Sequence, residues 1–254
     1  MKKTRSYTIS FAVLVILWEL LAVSGLFPES LFPSPVRTAE ALGRRISSGA
    51  LLLDIGASMY RFFIGYITSV IAAVILGLLL GWFAKAWRYV DPVVQFLRPI
   101  SPVAWLPFIV LWVGIGDVPA IVIIFIAAFF PVLLTTVTAV GNIDPVYLKI
   151  SDNFGLGRAQ TLLGIVFPAI FPQIANALHI AVGTAWIFLV VGEMAGSQSG
   201  LGYLITDARN NLQTDTLMAA IIAIGIIGIV LDLLIRHAQQ HVERIWGFSR
   251  SEEK

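Results

Sequence analysis

Six apolar runs punctuate the chain, at 8–26, 58–83, 99–115, 118–140, 172–194 and 216–235. Each is close to the roughly 20 residues that a helix needs to cross a bilayer core. Most charged side chains lie between the runs; Glu19, Arg61, Glu193 and Asp232 fall inside them. In lipid a helix satisfies its own backbone hydrogen bonds, which an open strand does not. The pattern therefore predicts an all-α integral membrane protein of about six transmembrane helices. It also predicts one transmembrane domain over 1–254, with a core at 58–235 and an N-terminal span at 8–26. The first run follows Lys2, Lys3 and Arg5, as the apolar part of a signal peptide does. It is long, however, and Phe27-Pro28-Glu29 follows it in place of an Ala-x-Ala-like cleavage site, so it reads as a retained helix.

Composition narrows the class. Of the 254 residues 58% are hydrophobic and only 13% charged, about half the charged share of a soluble domain. That excludes a disordered chain, a nucleic-acid module and an ordinary cytosolic enzyme. The net charge of +2 is too small to imply a polyanionic partner, so the placement of the charges matters more than their sum. With the N-terminus in the cytoplasm, the inner segments hold Lys2, Lys3, Arg5, Lys85, Arg88, Arg98, Lys149, Arg158, Arg236, Arg244, Arg250 and Lys254. The outer segments hold Arg37, Arg44, Arg45, Arg61 and Arg209. Twelve against five predicts that both termini are cytoplasmic.

Details within the runs suggest how the helices pack. Gly65, Ser69, Ala73, Gly77 and Gly81 recur every fourth residue and make one ridge of small side chains. Such ridges let helix backbones approach closely in lipid. Pro99, Pro102 and Pro107 bend the third run, and Pro131 bends the fourth. Ser34-Pro35 predicts an N-cap and first turn for a short interfacial helix, with Ala39, Leu42 and Ile46 on its apolar face. Asn176, His179 and Gly183 share a face of the fifth run. Glu193 opens a glycine- and serine-rich stretch through Ser197 to Tyr203, which reads as a re-entrant or gate-like loop. Asn176, His179, Glu193 and Ser197 are the candidate pathway residues.

Several chemistries are missing. There is no cysteine, hence no disulfide, thiolate metal site or cysteine nucleophile. No Gly-x-x-x-x-Gly-Lys-Ser/Thr loop is present, so the chain does not bind ATP by that route. His179, His237 and His241 are the only histidines and form no metal-ligand pattern. Ser197 and Ser199 lack the glycine two positions earlier that a nucleophile elbow carries.

The connection 141–171 is the informative one. Asp144-Pro145 predicts an N-cap and first turn, and a helix over 146–153 follows. Gly155 suits a left-handed position beyond the helix end. A second helix over 159–166 then runs into Pro168. This is a shaped projection, which suits a docking surface.

Gly155, nine further residues and then Ile165-Val166-Phe167-Pro168 resemble the second half of the "EAA" motif of bacterial ABC importer permeases. Other stretches are similar to one branch of that family, the permeases for nitrate, sulfonates, taurine and bicarbonate. They are Leu31-Phe32-Pro33-Ser34-Pro35, the run from Gln95 through Arg98-Pro99-Ile100-Ser101-Pro102 to Pro107, Leu111-Trp112-Val113-Gly114-Ile115-Gly116, Phe129-Phe130-Pro131 and the run from Gly200 to Asn210. Their order and spacing cover nearly the whole chain. One departure stands out: Lys149-Ile150-Ser151 occupies the place of the family's Glu-Ala-Ala.

The resemblance implies a type I ABC importer permease with a cytoplasmic coupling helix. It implies a non-catalytic transport subunit that binds no cofactor, with ATP and Mg held by two partner ATPase subunits. Those subunits would dock on Lys149, Asp152, Gly155, Leu156, Gly157, Arg158 and Pro168. The other implied partners are a second copy of the chain and an extracytoplasmic substrate-binding protein delivering a small oxyanion or organosulfonate. The setting is a bacterial or archaeal plasma membrane, with the lipid bilayer as a further partner and no nucleic acid. The rival expectation is a self-contained secondary transporter or channel, which predicts internal repeats and paired intramembrane charges.

Overall fold

The computed structural model describes residues 2–26, 28 and 30–245, with side chains described from residue 9 to residue 242. Phe27 and Glu29 beyond the first run, and Arg250 and Lys254 of the charge count, lie outside the described residues. Every regular element among the described residues is helical. In chain order these are α1 (Lys2–Val23), α2 (Pro35–Ser47), α3 (Ala50–Trp82), α4 (Ala84–Leu97), α5 (Leu106–Val113), α6 (Asp117–Gly141), α7 (Pro145–Asn153), α8 (Arg158–Thr161), α9 (Phe167–Gly196), α10 (Leu201–Asn210) and α11 (Thr214–Ile245).

The long helices α3, α6, α9 and α11 form the bundle. The ridge of small residues on α3 meets α6 and fixes their relation. A Cβ added to Gly65 would lie 2.8 Å from the Ile124 Cβ, one at Gly77 2.6 Å from the Thr136 Cβ, and one at Gly81 2.7 Å from the Val140 Cβ. Between them the Ser69 hydroxyl donates to the Phe125 carbonyl at 2.9 Å, and Ala73 is fully enclosed. Contacts that advance together along both helices make α3 and α6 parallel. Gly77→Val should force the pair apart at a cost of about 1–3 kcal/mol. Its protein should lose its monodisperse peak at lower temperature in detergent, whereas Gly56→Ala, whose Cβ meets open space, should not.

Helix α9 runs the opposite way. Its Gly192 and Gly196 pack on Ala120 and Pro119 at the start of α6. Helix α11 returns against α9, where the Trp186 indole donates to the Ile224 carbonyl at 3.2 Å and stacks over Gly228. Phe62, Ile124, Val132 and Leu189 centre the enclosed core.

Because α3 and α6 are parallel, residues 84–116 must return from one end of the bundle to the other. They do so as two half-helices rather than as the single run 99–115. Helix α4 and the segment Pro102–Val113 meet at 84°. Pro99 and Pro102 cause the break, since neither donates a backbone hydrogen bond and each disfavours helix in the residue before it. Four helices are long and apolar enough to cross a membrane, and the bent pair, counted as one span, would be a fifth. Of the expected first span, Ile9–Val23 forms a shorter apolar helix.

Two further expectations change. The Ser34 hydroxyl does cap α2, accepting from the Arg37 N–H at 3.3 Å. The buried face of α2 is nevertheless Thr38 and Ala41, because Arg44 and Arg45 tie it to Asp215 of α11 and Asp54 of α3. The stretch after Glu193 is not a long loop. Helix α9 continues to Gly196, a turn over 197–200 follows, and α10 begins at Leu201.

Candidate functional site

At the end of the bundle where α3 and α6 finish, the chain projects as α7, a turn, and α8. The Asp144 carboxylate caps α7 by accepting from the Val146 N–H at 2.9 Å, with Pro145 in the first turn. The helix closes where Phe154 donates to the Ile150 carbonyl at 3.1 Å. Gly155 then takes a φ of +63°, a conformation that costs a side-chain-bearing residue about 1–2 kcal/mol. The Leu156 N–H donates back to the Ser151 carbonyl at 3.1 Å, and the Ser151 and Thr161 hydroxyls pair inside the turn. The Gln160 side chain accepts from the Gly157 N–H at 3.0 Å. The turn is therefore folded on its own hydrogen bonds.

Its outer surface is open. Lys149, Asp152, Leu156, Gly157 and Arg158 are exposed. Val146, Ile150 and Phe154, spaced by four, present an apolar stripe that reaches 77% exposure at Phe154. Pro168 does not end the second helix as its sequence suggests. A π-helical turn over Leu162–Val166 precedes it, with the Phe167 N–H reaching the Leu162 carbonyl. The wider turn absorbs the proline's missing donor, and the projection continues without interruption into α9. The projection is thus joined through α8 to a long apolar helix.

At the opposite end lies a buried ion cluster. Arg61 of α3 is 2% exposed and Glu193 of α9 fully enclosed. The Arg61 Nη1 donates to Glu193 Oε1 at 2.6 Å and to the Ser199 carbonyl at 2.6 Å. Its Nη2 reaches the Ser199 hydroxyl at 2.6 Å, and its Nε donates to Asp117 at 2.7 Å. Glu193 also accepts from the Ser58 hydroxyl and from the Gly202 N–H, each at 2.9 Å. The Ser197 hydroxyl donates to the Gly116 carbonyl at 3.1 Å. Glu193 and Ser197 bind the turn 197–200 and the start of α10 to α3 and α6. Gly200, at φ +100°, has no room for a Cβ between Glu193 and Arg61.

The two remaining pathway candidates part company. His179 is an interhelical partner, its Nε2 lying 3.1 Å from Asp232 of α11, which also pairs with Arg236. Asn176 lies on an uncovered face of α9 with Gln173, Ile180, Gly183 and Ile187. That face adjoins a cavity of about 460 Å³ between α6, α9 and the break after α4. Arg98, Thr135 and Thr184 are its polar lining. A second cavity of about 370 Å³ shares Thr135 and leads through Thr138 and Gln173 to Asn142, beside the projection.

Arg61 and Arg98 are the residues that the charge count misplaces. Both were expected in segments outside the bilayer, yet one is buried within the bundle and the other sits level with Ala127 and Pro131 in the middle of α6. The signal for Arg61 was its place inside an apolar run, where an ionisable side chain marks a partner or a function.

Comparison with known proteins agrees with this architecture. The family model for the binding-protein-dependent transport system inner membrane component matches residues 73–245. The nitrate import permease protein NrtB of a Synechocystis species is 32% identical over 236 residues, covering 89% of this chain and 85% of that protein. The taurine transport system permease protein TauC of Escherichia coli is 29% identical over 247 residues, covering 94% and 90%. An inward-facing structure of the MetNI methionine ABC transporter matches the fold with a TM-score of 0.65 at 21% identity. That match spans 79% of this chain and 97% of the chain compared.

Proposed function

The chain belongs to the family of binding-protein-dependent transport system inner membrane components, and from that premise we propose that two copies of it form the pathway of an ATP-driven importer for a small oxyanion or organosulfonate. It is the multi-pass transport subunit, and its partners do the rest. An extracytoplasmic binding protein delivers the solute, and two ATPase subunits, which hold ATP and Mg, dock on the projection 141–171. That projection carries the reading, because it is preformed, capped and apolar at its tip, and it runs unbroken into α9. The nitrate and taurine relatives motivate the substrate class. The whole chain acts as one transmembrane domain, with both termini and the projection in the cytoplasm.

The orientation has a simple test in a chain without cysteine. A Gln160→Cys variant should resist an impermeant thiol reagent in intact cells and react after permeabilisation. Labelling of intact cells would invert the topology. The activity test is reconstitution with the cognate ATPase and binding protein in liposomes. Uptake should need ATP and all three components. Uptake by the permease alone, driven by an ion gradient, would overturn the importer.

A further inference from the structure

Arg98 caps the first half of the discontinuous helix and lines a cavity with Ala127, Phe130 and Pro131 from the middle of α6 and with Thr184 and Phe188 from α9. A guanidinium stays charged in any protein environment. At membrane depth such a charge is costly unless something neutralises it. Among the described residues Arg98 has no ion pair, whereas Arg44, Arg45, Arg61 and Arg236 each have one. Neither this cavity nor the one below it is lined by an acidic side chain. Arg98 is itself exposed, and the cavity that it borders has largely apolar walls.

We propose that Arg98, together with the Thr135 hydroxyl, is an anion-binding station halfway along the transport pathway. A small, singly charged oxyanion supplies the missing counter-charge as it passes. Guanidinium suits a sulfonate, nitrate or carboxylate-type group because its planar donors match two oxygens at once. Thr135 opens to both cavities, and its hydroxyl has no hydrogen bond among the described residues. Thr184 contributes less, since its hydroxyl donates to the Ile180 carbonyl at 3.2 Å. Below Thr135 the donors are the neutral side chains of Thr138, Gln173 and Asn142. An anion leaving Arg98 thus meets dipoles but no second fixed charge, so it is held at one place and released toward the projection. The broken helix is what brings Arg98 there. A continuous span would have kept this residue in a loop. The identity of the ligand rests on the importer reading; the positive field at Thr135 does not.

Two measurements separate those claims. In a Thr135→Cys variant, the anionic sulfonatoethyl and cationic trimethylammonioethyl methanethiosulfonates probe the local potential. The anionic-to-cationic rate ratio should fall about tenfold when Arg98→Gln is added, and 50 mM nitrate should slow the anionic reagent only while Arg98 is present. In liposomes holding the full importer, Arg98→Gln should reduce ATP-driven uptake of nitrate or ethanesulfonate at least tenfold, and Arg98→Lys should retain more than Arg98→Gln. An unchanged reagent ratio overturns the station, as does a changed ratio with uptake within twofold of wild type. If wild type shows no ATP-driven uptake, the importer reading fails, while the reagent ratio still judges Arg98.

Discussion

Arg61→Ala should leave little folded protein. Arg61 joins α3 to α6 through Asp117, to α9 through Glu193 and to the following turn through Ser199, all at 2.6–2.7 Å. Truncation abandons a fully enclosed Glu193 to the Ser58 hydroxyl and the Gly202 N–H alone. Removing one partner of a buried ion pair costs about 3–5 kcal/mol, because the other charge stays unpaired. That is a large part of the roughly 5–15 kcal/mol that holds a typical domain together. An apparent melting midpoint in detergent should fall by on the order of 10 °C for a chain of this size. The charge explanation makes a second demand. Arg61→Met combined with Glu193→Leu removes both ions and should be more stable than Arg61→Ala, even though more side chains have changed. A double variant as unstable as the single one would assign the loss to packing. A single variant that melts with wild type would deny the cluster any structural role.

The sequence shows why this cluster was hidden. A bilayer imposes a length and a polarity on each crossing, so α3, α6, α9 and α11 announce themselves as apolar runs. Local chemistry was equally readable. The Ser34 and Asp144 caps and the left-handed Gly155 each depend on a few neighbouring residues. The small-residue ridge of α3 repeats every four residues, and its partner needed only to be another helix. Arg61 was different. Its neutralising groups are 56 and 132 positions away, and no local pattern connects them. His179 and Asp232 pair on the same terms. Helix α4 escaped for another reason: Lys85, Arg88 and Asp91 make it more polar than an ordinary membrane span. Only the parallel packing of α3 and α6 reveals that this polar half-helix and the apolar α5 together make one crossing. The displacement of Arg98 from a loop to mid-depth follows from the same fact.

Phe154→Asp should uncouple the transporter without unfolding it. Phe154 is 77% exposed at the tip of the projection, with Ile150 and Val146 one and two turns before it on the same stripe. Apolar side chains so placed are stable in water only at a cost that a docking partner removes. Burying one aromatic side chain in a partner groove contributes roughly 1.5–3 kcal/mol, and placing an unpaired carboxylate there adds its desolvation. The ATPase should therefore bind at least 100-fold more weakly, and uptake should fall to background. The side chain is mostly exposed, so the melting midpoint should stay close to the wild-type value. Gly155→Val acts on the same surface through the backbone. Open space surrounds its Cβ, so only the φ of +63° resists the change. The strain of about 1–2 kcal/mol is relieved by turning α7 away from α8, which moves the stripe instead of charging it. Lys149→Glu adds the electrostatic term: a partner surface that is acidic opposite Lys149 makes this variant's defect larger at low salt, where screening is weak. ATPase co-purification and uptake, measured for all three variants at equal expression, decide the matter. Wild-type uptake by both Phe154→Asp and Gly155→Val would remove α7 from the coupling pathway and leave the direct continuation of α8 into α9 without a function.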